Sequence, residues 1–524
     1  MELPLTPLDF ARRSRKLYPE REAVVDGDLR LTYAEFFDRC DRWSMALRTL
    51  GIKQGDRVAY IAPNTHAMLE SCYAVPQLGA VLVPLNYRLI AADFAYLINH
   101  SGARVVCAHS DYLDCLDEIR AELPNVTSFV ALEGAKAGWL DYEMLLTDAR
   151  ADSAMELPQI NETDLLTINY TSGTTSKPKG VMITHRNAYV NVVGTLIHHP
   201  MTMAERYLWT LPMFHANGWT FVWTVTAVGG THVCLRRVDP VAVFNQIEQE
   251  SVTMLCAAPT VLISIANGPE ELRRAARPGV RIVTAGAPPA ATTIERIEGE
   301  LGWIITQAYG LTETSPFITI CELRPEHEGL CCADKSVVKA CQGVELLTSG
   351  ELRVVDEDGN EVPHDGHSLG EIVVRGNAVM KGYYDDPEAT SRVIKNGWFH
   401  TGDAAVIHES GYVEIRDRMK DVIISGGENI SSVEVEGVLL RHPAVQEVAI
   451  VGLPHERWGE APHAFVVLKT GARASEEELR EFARNNLAHF KAPQGVTFLP
   501  ELPKTATGKV QKYVLRKRPA IAKQ

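Results

Sequence analysis

Tyr170-Thr-Ser-Gly-Thr-Thr-Ser-Lys-Pro-Lys-Gly180 is the stretch that decides how this chain folds and works. Small hydroxyl residues crowd between Gly173 and Gly180, an apolar run at 164–169 leads in, and a helical pattern begins at His185. A loop of this composition can turn backbone N–H and side-chain O–H groups onto phosphate oxygens, while Lys177 and Lys179 add positive charge. Thr171, Ser172, Gly173, Thr174, Thr175 and Lys179 are therefore candidate phosphate contacts. No Gly-Lys-Ser/Thr closes the string, so the mechanics of a P-loop NTPase do not apply.

Outward from the loop, β-branched runs at 57–62, 104–109, 127–132, 253–257 and 280–285 alternate with helical patterns such as 33–50 and 240–250. That alternation points to α/β units on largely parallel sheets. Near residue 345 the texture changes. Short strands at 350–356, 370–375 and 411–416 are cut by the turns Asp358-Gly359, Asp365-Gly366 and Ser410-Gly411, which predicts a small antiparallel region. After Lys420 a compact α+β piece follows: a helix over 433–441 capped by Ser431 or Ser432, strands at 447–452 and 464–468, and a helix over 475–487. The boundary falls at Asp417, giving an N-terminal domain of residues 1–416 and a C-terminal domain of residues 417–524.

Hydrophobic residues make up 46% of the chain and charged residues 23%, ordinary values for a globular protein with a large core. The net charge of −14 argues against nucleic acid or an anionic membrane as the main partner. Residues 501–524 are locally basic, with seven basic residues against one acidic, which suits either a solvated tail or a phosphate-facing segment. Ten cysteines without a Cys-x-x-Cys pair match neither a zinc site nor a secreted disulfide framework. Residues 1–18 lack the apolar core of a signal peptide. The most apolar window, 67–85, is broken by Glu70, Gln77 and Gly79 and reads as a buried α/β segment, not a membrane span. A soluble, cytoplasmic protein is the expectation, and a homodimer stays open.

Further motifs follow in order. They are Pro212-Met-Phe-His215-Ala-Asn217-Gly218-Trp219, Gly286-Ala287-Pro288, Gln307-Ala308-Tyr309-Gly310-Leu-Thr312-Glu313-Thr314 and Trp398-Phe-His-Thr401-Gly402-Asp403. Asp417-Arg418-Met-Lys-Asp-Val-Ile-Ile-Ser-Gly426-Gly427 and Pro503-Lys-Thr-Ala-Thr-Gly508-Lys509 complete the set. Together with the loop they resemble the adenylate-forming superfamily of acyl-CoA synthetases, peptide-synthetase adenylation domains and luciferases, most closely the fatty acyl-CoA synthetases. The loop departs once, with Ser176 where that superfamily has Gly.

The resemblance implies an N-terminal domain of two α/β sheet subdomains plus a small antiparallel β region, then a small mobile α+β C-terminal domain. It implies ATP, Mg²⁺, CoA and a small carboxylic acid as the molecules handled. Thr171 and Glu313 then match the Mg²⁺ positions, whose hard oxygens suit that ion. Gly286, Ala287, Pro288, Ala308, Tyr309, Gly310 and Thr312 border the nucleotide, Thr312 and Glu313 also counting as catalytic. Asp403 can accept from ribose hydroxyls, and Arg418 adds a donor. His215, Asn217, Gly218 and Trp219 line the acyl pocket, His215 acting catalytically, and Lys509 serves adenylation. Asp417 is the hinge, and Gly426 and Gly427 line the CoA tunnel. The acid is expected to be a fatty acid of unresolved length or a related small acid, since residues 214–223 are apolar and lack an acidic partner for an amino group. An amide ligase or carrier-protein-loading enzyme, a luciferase-like oxygenase and a non-catalytic nucleotide binder are the alternatives.

Overall fold

The structure, a computed structural model, describes residues 2–149, 158–171, 177–425, 428–504 and 510–517. Its strands form four sheets among the described residues. In the first, Glu22–Asp26, Thr231–Val233, Arg206–Leu208, Met254–Ala257, Arg281–Thr284 and Ile304–Gly310 run parallel. Antiparallel edge strands, Leu29–Thr32 on one side and Phe317–Ile320 with Val344–Glu345 on the other, close it. In the second, Leu165–Thr171, Val81–Pro84, Arg57–Ile61, Ala103–Ala108, Ser128–Ala131 and Leu140–Asp141 are parallel, and Lys179–Thr184 and Gly382–Tyr383 complete one antiparallel edge.

Helices His66–Gln77 and Phe221–Val228 lie in the common core of the two sheets. The first is buried along its whole length, its Glu70 paired with Arg39, and the second, largely apolar, from 221 to 227. Trp223 Nε1 donates to Cys72 O at 3.3 Å, and the Tyr73 hydroxyl sits 2.5 Å from Val222 O. Each large side chain buried here contributes about 1.5–3 kcal/mol.

The seam also carries charge. His66 donates to Asp26 from its backbone N (3.0 Å) and from Nδ1 (2.7 Å), and Arg236 bridges Asp26 and Glu133 at 3.2 and 2.6 Å. Burial disfavours a charged imidazole at His66, but hydrogen bonds to Asp26 and Glu143 and the charge of Glu70 outweigh it and raise its pKa to about 9. Asp26 closes a strand of the first sheet and His66 opens a helix of the second layer, so this pair ties the two halves together.

The third sheet is antiparallel: Glu351–Val355, Gly370–Arg375, Trp398–Ile407, Ile394–Lys395 and Val413–Arg418. The last strand continues through Arg418, two residues past the expected boundary, so Asp417 and Arg418 belong to this sheet's ladder. The fourth sheet, built from 423 onward, packs helices Ser432–Leu439 and Glu476–Asn486 against Val445–His455 and Gly459–Leu468. Ser431 caps the first of these helices, accepting from Glu434 N at 3.1 Å. The C-terminal ends of Leu165–Thr171, Arg281–Thr284 and Ile304–Gly310 carry the motifs of interest, in keeping with the general placement of ligand sites in open α/β sheets.

Candidate active site

The candidate phosphate stretch is flanked by two paired strands. Leu165–Thr171 pairs antiparallel with Lys179–Thr184, Thr171 facing Lys179 and Tyr170 facing Gly180. Ser172, Gly173, Thr174 and Thr175 lie outside the described residues. Helix His185–His198 begins only after the second strand, capped by Thr184. The available groups are the hairpin's own: the Thr171 hydroxyl, the Lys179 ammonium and the charge of Lys177. Lys179 Nζ rests 4.7 Å from the centroid of the Tyr383 ring.

Three residues of the candidate nucleotide motifs meet at the third sheet. The Tyr309 hydroxyl donates to Asp403 Oδ2 at 2.7 Å, and Arg418 Nε pairs with Asp403 Oδ1 at 2.8 Å. Asp403 and Arg418 are direct partners in the antiparallel ladder, which brings together residues far apart in the motif order. Burial and the adjacent carboxylate push the Tyr309 pKa up, so the hydroxyl stays a donor. Tyr309 is 7% exposed, with its hydroxyl seated on Asp403. Gly286 and Ala287 are exposed and leave their backbone open, with Pro288 half-buried beside them. Ala308 is buried in the strand, and Gly310 is there because a Cβ would lie 1.8 Å from Pro316 O.

Glu313 lies in the single turn Thr312–Thr314, with Thr312 buried beside it. Its Oε1 accepts from the Tyr383 hydroxyl at 2.9 Å, and its backbone O accepts from Met380 N at 2.8 Å. Arg418 feels the charge of both Asp403 and Glu313. Glu313 and Thr171 offer oxygen donors alone, the set a hard divalent cation takes.

On the acyl side, residues 216–220 make a left-handed turn. Ala216, Asn217, Gly218, Trp219 and Thr220 all have positive φ, between 40° and 65°. For residues with a Cβ this costs on the order of 1–2 kcal/mol each, strain of the kind stored at functional sites. The surroundings hold it: the Asn64 carboxamide donates to Trp209 O (2.7 Å) and Leu211 O (3.0 Å) and accepts from Met213 N (2.8 Å). Gly218 backs onto the Trp209 indole, where a Cβ would come within 2.4 Å, and Asn217 is buried beside the Cys72 thiol. Trp219 alone turns toward the nucleotide motifs. Its ring stands 3.9 Å from the Cβ position of Gly286 and meets Phe317 edge-on at 5.7 Å. Phe221 and Trp223 are core: Phe221 stacks on Tyr207 at 5.0 Å, and Trp223 packs on the helix 66–77. His215 is half-buried at the start of the turn, its ring 6.5 Å from that of Phe214.

Models of the AMP-binding enzyme family match residues 11–384, and those of the AMP-binding enzyme C-terminal domain match residues 434–509. The chain belongs to the AMP-binding enzyme family. It is 42% identical over 520 residues to 4-hydroxybutyrate–CoA ligase 2 of Metallosphaera sedula, covering 98% of this chain and 94% of the relative. It is 40% identical over 537 residues to the peroxisomal trans-cinnamate:CoA ligase of Petunia hybrida, with 98% and 94% covered. The crystal structure of an anthranilate CoA ligase in complex with anthranoyl-AMP aligns with a TM-score of 0.87 at 25% identity, over 98% of each chain. The class is that of the AMP-forming acid–CoA ligases, which use ATP and CoA. No helix among the described residues is long and apolar enough to cross a membrane.

Within this family member the C-terminal motifs are only partly on view. Gly426, Gly427 and Lys509 lie outside the described residues. The loop carrying Lys509 is closed at its base, where Lys504 bridges Val510 and Gln511 N donates to Pro503 O at 2.8 Å. Three of the described cations of the basic stretch each have a carboxylate partner. Lys504 pairs with Glu447 (2.7 Å), Lys512 with Glu436 (2.8 Å) and Arg516 with Asp421 (2.7 Å), so these cations anchor the segment to its own domain. Asp417 accepts from Ser432 N at 2.9 Å and from Arg418 N at 2.8 Å. Sequence reasoning missed Tyr383 and Asn64. Neither stands in a motif with a chemical signature, although the pair Tyr383-Tyr384 between Gly382 and Asp385 is an aromatic signal at a turn.

Proposed function

We propose that this enzyme activates a small carboxylic acid, a short aliphatic or small aryl acid, as its adenylate and transfers the acyl group to CoA. The observation that carries the choice of acid is the closure of the acyl side by Trp219 against Phe317. The space behind Phe317, lined by Thr195, His199, Val283, Ala308 and Leu346, is about 10 Å³, room for one water at most. We read this seated indole as limiting the length of the acid, which narrows the broader fatty-acid expectation. Relatives named for 4-hydroxybutyrate and trans-cinnamate, and a solved structure holding anthranoyl-AMP, support the same size range.

The chemistry follows from the groups present. Asp403, pinned by Tyr309 and Arg418, keeps lone pairs for the two ribose hydroxyls. The open backbone at Gly286 and Ala287 borders the base. Thr171, Lys179 and the hairpin turn take the triphosphate, and Glu313 with Thr171 would hold Mg²⁺. Bound Mg²⁺ would neutralise charge on the phosphate oxygens. Catalysis of the first step is then mainly positioning and charge stabilisation, as the carboxylate attacks the α-phosphorus and pyrophosphate leaves. We assign Lys509 to that step, His215 to orienting the carboxylate, and Asp417 to the hinge between domains at residues 416 and 417. In the second step the CoA thiol attacks the acyl carbonyl and AMP departs, so no protein nucleophile is needed.

Pyrophosphate release measured with ATP and Mg²⁺ across butyrate, longer fatty acids, benzoate and cinnamate, each with and without CoA, tests the reading. Turnover that needs CoA and peaks at small acids is the expected result. Release indifferent to CoA would move the assignment to an amide ligase or carrier-loading enzyme, and a maximum at long chains would overturn the pocket argument.

A further inference from the structure

The segment from 377 to 384 crosses from the third sheet to the phosphate hairpin, and almost every residue of it is tied down. Asn187 Nδ2 donates to Asn377 O (2.6 Å) and Val379 O (3.0 Å), and Met380 N donates to Glu313 O (2.8 Å). Lys381 N donates to Met182 O (2.9 Å), Tyr383 N to Thr390 Oγ1 (2.9 Å) and Tyr384 N to Gly180 O (2.7 Å). Gly382–Tyr383 forms the edge strand beside Lys179–Thr184, with Tyr383 opposite Val181. Strand alternation then sends Tyr383 to one face and Tyr384 to the other. Tyr384 turns to His100, ring to ring at 5.9 Å, away from the motifs.

Tyr383 turns inward and makes two contacts that link different parts of the site. Its hydroxyl donates to Glu313 Oε1 at 2.9 Å, and its ring face carries Lys179 Nζ at 4.7 Å from the centroid. Tyr383 as a whole is 7% exposed, which reduces competition from water.

We propose that Tyr383 is a positioning residue for adenylation, fixing the Glu313 carboxylate through its hydroxyl and the Lys179 ammonium through its ring. The inference rests on the assignment of Glu313 to the Mg²⁺ of ATP and of Lys179 to the phosphates. A carboxylate in a single helical turn has two free side-chain torsions beyond χ1. One fixed oxygen leaves the other pointing in a defined direction, so the cation need not order the side chain as it binds. Likewise a lysine seated on an aromatic face loses less freedom when it meets a phosphate.

The test is equilibrium binding of ATP to the full-length enzyme by calorimetry, without acid or CoA, in a Mg²⁺ series and in EDTA. Tyr383→Phe keeps the ring and removes the hydroxyl. It is expected to weaken ATP binding about tenfold in Mg²⁺, the usual size of one hydrogen bond to a charged group, with no change in EDTA. Tyr383→Leu removes the ring as well and is expected to weaken binding in EDTA too. Glu313→Gln separates the proposal from its premise. If Glu313→Gln loses the Mg²⁺ enhancement and Tyr383→Phe keeps it in full, Tyr383 is not a positioning residue. If both variants keep it, Glu313 is not at the metal and the proposal falls with that assignment.

Discussion

Asp403→Asn is the most direct probe of the nucleotide assignment. The carboxylate is 6% exposed, and its two oxygens each receive one strong donor, the Tyr309 hydroxyl at 2.7 Å and Arg418 Nε at 2.8 Å. Ribose would add two more donors to the remaining lone pairs. Asparagine keeps the shape, but one oxygen becomes an NH₂ that faces a donor, and the negative charge is gone. Hydrogen bonds to charged groups contribute about 1.5–3 kcal/mol, so losing one of the two ribose contacts should raise KM for ATP about 10- to 150-fold. Folding should suffer less. Arg418 is one-third exposed and can turn its guanidinium to water, which keeps the cost well under the 3–5 kcal/mol of orphaning a fully buried charge. Acid-dependent ATP–pyrophosphate exchange, titrated in ATP, reads the first effect, and thermal melting reads the second. A variant that melts like the parent and shows KM for ATP within twofold of it would refute the ribose assignment.

The remaining expectations are briefer. Trp219→Ala should open the closed acyl side and raise kcat/KM for octanoate relative to butyrate by at least about tenfold, since each added methylene in a pocket is worth about 1–3 kcal/mol; an unchanged acid profile in the pyrophosphate assay would count against the gate. Gly218→Ala forces a methyl to within 2.4 Å of the Trp209 ring at φ +54°, and should lower stability by about 2–4 kcal/mol, visible as a fall in Tm. His66 holds its proton up to a pH of about 9 in the folded protein, against about 6.5 when unfolded. Its stabilising contribution is therefore complete below pH 6.5 and lost as pH rises to 9, so denaturation midpoints should fall across that window, and less so in His66→Gln. Lys509→Ala should abolish acyl-AMP formation yet still convert supplied acyl-AMP and CoA to thioester, followed by AMP release; loss of both steps would widen the lysine's role.

Much of this was legible before any coordinates. The strands at 57–62, 104–109 and 280–285 and the helices at 33–50 and 475–487 appear within a residue or two, because their apolar spacing matches one period each. The motif order placed Asp403, Tyr309 and Arg418 in one site, and they do meet. Other features were hidden for identifiable reasons. Strand Lys179–Thr184 follows Pro178 and contains Gly180, which mask its β character, so the hairpin looked like a loop before a helix. The left-handed turn at 216–220 runs against the intrinsic preference of Ala, Trp and Thr and exists only because the surrounding core holds it. Residues 214–223 read as one apolar stretch, and a change of backbone hand at Thr220 sends Phe221 and Trp223 into the core while Trp219 faces Phe317. The carboxylate partners of Lys504, Lys512 and Arg516 lie 57, 76 and 95 residues away, beyond any local charge pattern.

The two hydrogen bonds at the end of the third sheet set a scale for the proposed exchange between domain poses. Asp417 accepts from Ser432 N, and the Ser431 hydroxyl donates to Arg416 O, so strand and C-terminal helix are fastened at adjacent points. Both donors belong to the half that would swing. In the proposed exchange, giving up the pair costs on the order of 1–3 kcal/mol, which corresponds to a minor pose occupied by roughly one molecule in six to one in a hundred and sixty before any ligand binds. A substrate or product that favours the rarer arrangement by as little as tenfold to a hundredfold in affinity is then enough to bring the two poses near balance, so the chemistry at Asp403 and the ordering of the C-terminal half can be timed by ordinary binding energies.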